Sequence, residues 1–143
     1  MRKFIALAVI AGMAIAAAPV QDHKEGSVPN DARDMMLSMG AGLKGKKLEK
    51  AIVEAEKSPL GTKANPVREN RPEGQIAYLR KLRCADGAAP AFNRAGNVGP
   101  GPYEFIVDLY KVTCPGQAPV DVFIDMYHDG GEKRPIPGFM IVN

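Results

Sequence analysis

The apolar pattern of this chain changes period once, at Cys84, and that change limits its possible folds more than any other feature. Before Cys84 the apolar residues recur three and four apart; after it they alternate. Met35, Met36, Met39 and Leu43 sit at helical spacing, with Asn30 or Asp31 placed to cap them. Gly40, Gly42 and Gly45 interrupt that helix, each costing about 1 kcal/mol against Ala in a helix interior, so a break or loop is expected there. A stronger helix follows, with Leu48, Ala51, Ile52 and Ala55 as its apolar stripe and Lys and Glu elsewhere. Ser58-Pro59-Leu60-Gly61 ends it, since Pro cannot continue a helix and Gly suits its C-terminal side. Residues 61–71 read as a loop containing Pro66. Pro72 and Glu73 suit the first turn of a third helix. Its apolar side is Ile76, Leu79 and Leu82, and Arg80, Lys81 and Arg83 make the other side basic.

Beyond Cys84, Asp86-Gly87 signals a hairpin turn between 82–85 and 88–94. The Gly- and Pro-rich stretch 96–102 reads as a long turn. Tyr103 to Cys114 is rich in β-branched and aromatic residues and free of Gly and Pro, which predicts a strand. Val120, Val122, Ile124 and Met126 alternate in the next strand, 120–127. Phe139 to Val142 is a short last strand near an edge, preceded by Pro135 and Pro137. Helices first and strands after predict an α+β fold. Two or three N-terminal helices would pack on a small antiparallel β-meander of four to five strands, with one disulfide.

The first residues predict export. Arg2 and Lys3 precede an uncharged apolar run from Phe4 to Ala18. The run is shorter than the roughly 20 residues a spanning helix needs, and its small-residue end suits a signal peptidase. Residues 1–16 are therefore expected to be a Sec-type signal peptide, cut at 16/17 or 18/19. Residues 17–30 would be a flexible leader and 31–143 a single domain. No Cys lies in the signal run, so no lipid anchor is expected, and the destination is a bacterial periplasm or the medium. Removal of Arg2 and Lys3 takes away two of the three excess positive charges. The near-neutral remainder offers no general attraction for nucleic acid. Cys84 and Cys114 are the only cysteines. In an oxidising compartment they are expected to form a structural disulfide rather than a redox pair, which usually has the C-x-x-C spacing.

Candidate chemistry gathers on the two long strands. A simple hairpin about Gly116 would set Asp108 opposite Asp125, Tyr110 opposite Phe123 and Val112 opposite Asp121. Asp108 and Asp125 would then share a face with Tyr110 and Tyr127, and His128 would follow. Like charges directly opposed destabilise a sheet, so a compensating cation, metal or shared proton is called for. Arg80, Lys81 or Arg83 would neutralise the pair in the simplest case. No metal site is expected, because His128 has only His23 as a second imidazole. The Met35, Met36 and Met39 thioethers suit Cu(I), but methionines at helical spacing more commonly pack a core. Ser27, Ser38 and Ser58 stand in no nucleophile motif, and 96–101 matches no phosphate-binding loop. No cofactor is expected. The sequence points to a small exported binding module without enzymatic activity, whose partner is an unidentified protein or small molecule. It would use Asp108, Tyr110, Asp125, Tyr127 and His128, or the 128–137 loop. A carboxylate-based or metal-assisted hydrolase built on Asp108, Asp125 and His128 is the alternative.

Overall fold

A computed structural model of the protein describes residues 32–142. The predicted signal peptide, the leader with His23, and the Asn30/Asp31 cap lie outside the described residues. The described chain is α+β, with elements in the order α1 (Ala32–Ser38), α2 (Lys46–Ala55), β1 (Val67–Arg68), α3 (Arg71–Lys81), β2 (Leu82–Arg83), β3 (Ala91–Pro100), β4 (Ile106–Thr113), β5 (Val120–Asp125) and β6 (Met140–Ile141). No helix among the described residues is long and apolar enough to cross a membrane.

The helices form where the apolar period placed them. α1 ends before Gly40, and the chain passes through Gly42 at φ 84. A Cβ at Gly42 would lie 1.9 Å from the Phe105 ring, so only glycine permits this approach. Leu48, Ala51, Ile52 and Ala55 turn the α2 stripe inward. α3 starts with Pro72 in its first turn and buries Tyr78 and Leu79.

The sheet departs from the expected antiparallel meander. Its order is β1-β5-β4-β3, and β1 runs parallel to β5. β1 lies in the stretch expected to be a loop, between α2 and α3, so the helices do not simply precede the strands. Residues 82–83 pair with Met140 and Ile141 at the C-terminal end, not with the chain after Asp86-Gly87. The turn there is nonetheless tight, with the Cys84 N–H donating to the Ala88 carbonyl at 2.8 Å. The stretch expected as a long turn is mostly strand: β3 runs to Pro100, and Gly96 and Gly99 take positive φ where its register with β4 shifts. Glycine makes those bulges possible without ending the pairing.

Two apolar clusters form the core. One lies between α3 and the β4–β5 face that carries Tyr110, Val112, Val122 and Ile124. The other gathers α1 and α2 around Tyr103, Phe105 and Tyr127. The helices thus divide between two clusters instead of sharing one face. Within the methionine group, Met36 is buried, whereas Met35 and Met39 are exposed. Packing therefore accounts for one of the three.

The Cys84–Cys114 disulfide forms, with its Cα atoms 5.9 Å apart, and ties the end of β2 to the end of β4. Replacing both cysteines by serine should lower stability by about 2–4 kcal/mol. A urea unfolding curve checks this, and an unchanged midpoint would contradict it.

Candidate functional site

The register between β4 and β5 separates the two aspartates singled out from the sequence. Asp108 faces Ile124, Tyr110 faces Val122, and Lys111 faces Asp121. This is one residue away from a hairpin centred at Gly116. Because side chains alternate along a strand, one step moves Asp125 to the other face. Asp108 shares its face with Ile124, while Asp125 shares the face of Arg68, its neighbour across the parallel β1–β5 pair. They are not an opposed pair. Asp108 has its own cation, Arg94 on β3, which donates from Nε and Nη2 at 2.9 and 2.6 Å. Gln75 on α3 adds a third donor at 3.2 Å. The expected neutralising residues, Arg80, Lys81 and Arg83, do not take this role. Arg83 instead donates to the carbonyls of Arg80 and Leu82.

Tyr110 and Tyr127 are buried, so they do not form the open aromatic surface that the sequence suggested. Burial raises the pKa of both hydroxyls, and Asp108 adds to the shift in each. Asp108 and Tyr110 thus lie beside Arg94, Asp125 faces the other way with His128 next to it, and Tyr127 stands close to both aspartates.

The surroundings of Asp125 and His128 are built by β1. The Glu69 N–H completes the parallel pair by donating to the Asp125 carbonyl at 2.8 Å, and an antiparallel bridge between Asn70 and Tyr127 follows, in which the Arg71 N–H donates to the Met126 carbonyl at 2.8 Å and the His128 N–H to the Glu69 carbonyl at 3.1 Å. Arg68 is consequently held beside Asp125 and the aromatic cluster. Its guanidinium donates to the Tyr103 hydroxyl at 2.9 Å and to Glu56 at the end of α2 at 2.7 Å, with Glu132 at 3.5 Å. Arg134 closes the ring. It donates to both Glu56 oxygens at 2.8 and 2.9 Å and to both Glu132 oxygens at 2.7 and 3.0 Å. Hydrogen bonds from Arg134 and then Arg68 bring the Glu56 pKa down to about 2. Burial pushes the Glu132 carboxyl up, but its bonds to the Arg134 side chain and to the Arg134 and Lys133 amides outweigh that and leave it low.

An open cleft of about 580 Å³ lies over this ring, lined by Ile52, Glu56, Arg68, Arg134 and the backbone run His128 to Glu132. His128 sits at its inner end. The imidazole meets Tyr103 edge-on with ring centres 5.0 Å apart, and Phe105 at 5.9 Å. Its Nε2 is 3.4 Å from Asp125 Oδ2. Both atoms are buried and neither makes a hydrogen bond. Asp125 Oδ1 is occupied by the Tyr127 N–H at 3.0 Å.

Glu69 lies below the same run of chain. It is 6% exposed, and its Oε1 accepts the Glu132 N–H at 3.0 Å. Burial raises its pKa to about 7, partly opposed by that N–H. No cluster of three or more His, Cys, Asp or Glu able to hold a metal ion occurs among the described residues. Asp125 and His128 supply two donors, fewer than the three protein ligands of a typical catalytic zinc.

The sequence reading identified Asp125, His128 and the 128–137 loop that carries Glu132 and Arg134, and missed Glu56, Arg68 and Glu69. Apolar Val67 beside the charged pair Arg68-Glu69 was the available signal for a short half-buried strand. Its two-residue length and the preceding Pro66 hid it.

Arg68 and Arg134 touch the same two carboxylates but differ in burial, with side chains 17% and 52% exposed. Arg68→Ala should cost about 2–4 kcal/mol, because it leaves buried Glu132 and the Tyr103 hydroxyl short of a partner. Arg134→Ala should cost about 1 kcal/mol or less. Thermal unfolding of the two variants checks the order, and a larger loss for Arg134 would contradict it.

No protein-family model, curated protein or solved structure matches this chain.

Proposed function

We propose that this protein is an exported, non-enzymatic binding module that takes its ligand in the cleft beside the 128–134 segment. The observation that carries this reading is the cleft itself. It combines a concave surface with fixed donors and acceptors, the arrangement that small-molecule and peptide sites use to orient a ligand. Glu56, Arg68, Glu132 and Arg134 are held by one another, so they are ordered before any ligand arrives. Preorganisation of this kind lowers the ordering cost of binding. The cleft is polar and of mixed charge, which suits a small polar molecule or a peptide segment better than an apolar ligand. Export to a periplasm or to the medium is part of the proposal. The leading apolar segment and the disulfide support it, since disulfides persist in oxidising compartments.

The hydrolase alternative is narrower than the sequence suggested. Asp108 is committed to Arg94 and faces away from Asp125, which leaves Asp125 and His128 as its remaining members. Their contact at the inner end of the cleft is the one observation in its favour.

A nitrogen-15 NMR titration with amino acids, oligosaccharides and short peptides tests the binding reading. Shift changes should concentrate at Glu56, Arg68, His128 and Glu132 for at least one ligand class, with that ligand recovered intact. Changes confined to other surfaces, or conversion of the ligand, would contradict it.

A further inference from the structure

We propose that the 128–132 backbone run is a pH-operated clasp on the cleft, closed while the Glu69 carboxyl is protonated and loosened as that group ionises. This rests on the binding reading above for what the clasp would regulate; the clasp itself stands on the geometry around Glu69.

One residue fastens both ends of the run. The Glu69 carbonyl accepts the His128 N–H at 3.1 Å, and its carboxyl accepts the Glu132 N–H at 3.0 Å. Between them the backbone rests directly on the carboxyl. A Cβ at Gly131 would lie 2.8 Å from Oε2 and 3.3 Å from Oε1. From the other side a Cβ at Gly74 of α3 would lie 3.0 Å from Oε2. The glycine at 131 therefore permits a close approach that a side chain would meet only by displacing the carboxyl, and the approach encloses a titratable group.

The charges around Glu69 do not favour its ionised form. Glu132, on the clasp itself, repels it, while Lys81 on α3 attracts it. Tyr78 on α3 also faces it, and the two negative forms would oppose each other. Arg68 on β1 directs its guanidinium to Glu56, Glu132 and Tyr103 instead. On the β5 side Asp125 is in contact with His128. Burial outweighs Lys81 and the Glu132 and Asn70 N–H groups, which favour the ionised form, and the carboxyl is pushed up to about 7 from its ordinary 4.5.

Linkage fixes the direction of the effect. A carboxyl that is harder to ionise in the closed state stabilises closure fully below its ordinary value, and that stabilisation is lost as pH rises through about 7. Acid conditions close the run and alkaline conditions release it.

Amide hydrogen exchange of residues 129–134, corrected for intrinsic rates and referred to β4, measures the clasp directly. Between about pH 5.5 and 8.5, wild-type protection should fall on the order of tenfold. Glu69→Gln keeps an acceptor oxygen and cannot ionise, so its protection should hold at both ends. Identical pH profiles for the two proteins would overturn the proposal. Should Glu69→Gln fail to fold, carbon-13 titration of the wild-type Glu69 carboxyl decides the matter. A midpoint near 7 supports the clasp, and one near 4.5 overturns it. Neither readout uses a ligand. A flat exchange profile therefore leaves the binding reading intact, and a failed ligand titration leaves the clasp intact.

Discussion

The parallel pairing of β1 with the end of β5 is the constraint on which the rest of the site depends. It involves two residues on each side, Val67 with Ile124 and Arg68 with Asp125. Val67 and Ile124 are fully buried and anchor the pair in the α3 core. With that anchor in place, Arg68 faces the aromatic cluster and Glu69 enters the ladder beside Asp125. A slip of one residue would exchange the two faces, sending the guanidinium into the apolar core and leaving Glu56 and Glu132 without Arg68. The energetic weight of the site therefore lies in the ordinary hydrophobic burial of Val67 and Ile124. The ion pairs above them take their geometry from it.

The polar groups divide by their degree of burial. Arg134 and Glu56 stand at the cleft surface, where water screens charge and each ion pair contributes little. Asp125, Glu69 and His128 are buried, and there an unpaired charge is costly. The surface ring gives the cleft its shape, and of the buried groups beneath it Glu69 is the one whose carboxyl burial pushes up. Asp108 illustrates the contrast. It is nearly as buried, but Arg94 and Gln75 supply it with three donors, so it is a satisfied structural carboxylate.

Much of the α+β architecture was legible because it rests on local pattern. The apolar stripes of α2 and α3 and the alternation of β5 are periodic over enough residues to be read alone, and the disulfide followed from two cysteines. Three features were not legible. β1 is too short to show a period and draws its stability from a partner more than fifty residues away. β3 contains Gly96, Gly99 and Pro100, which signal a turn by composition but serve as bulges once β4 is beside them. The β4–β5 register differs by one residue from the estimate made from the turn. That single step separated Asp108 from Asp125. The same long-range pairing hid the site, since Glu56, Arg68 and Glu132 lie on three segments that only the tertiary fold brings together.

The central claim is that a two-residue parallel pairing organises the cleft, and through-hydrogen-bond NMR couplings test it most directly. The account predicts a coupling from the Glu69 amide nitrogen to the Asp125 carbonyl carbon, across the parallel pair, and another from Arg71 to Met126, across the antiparallel bridge that follows it. Absence of both, in a sample where the couplings between β4 and β5 are observed, would contradict it.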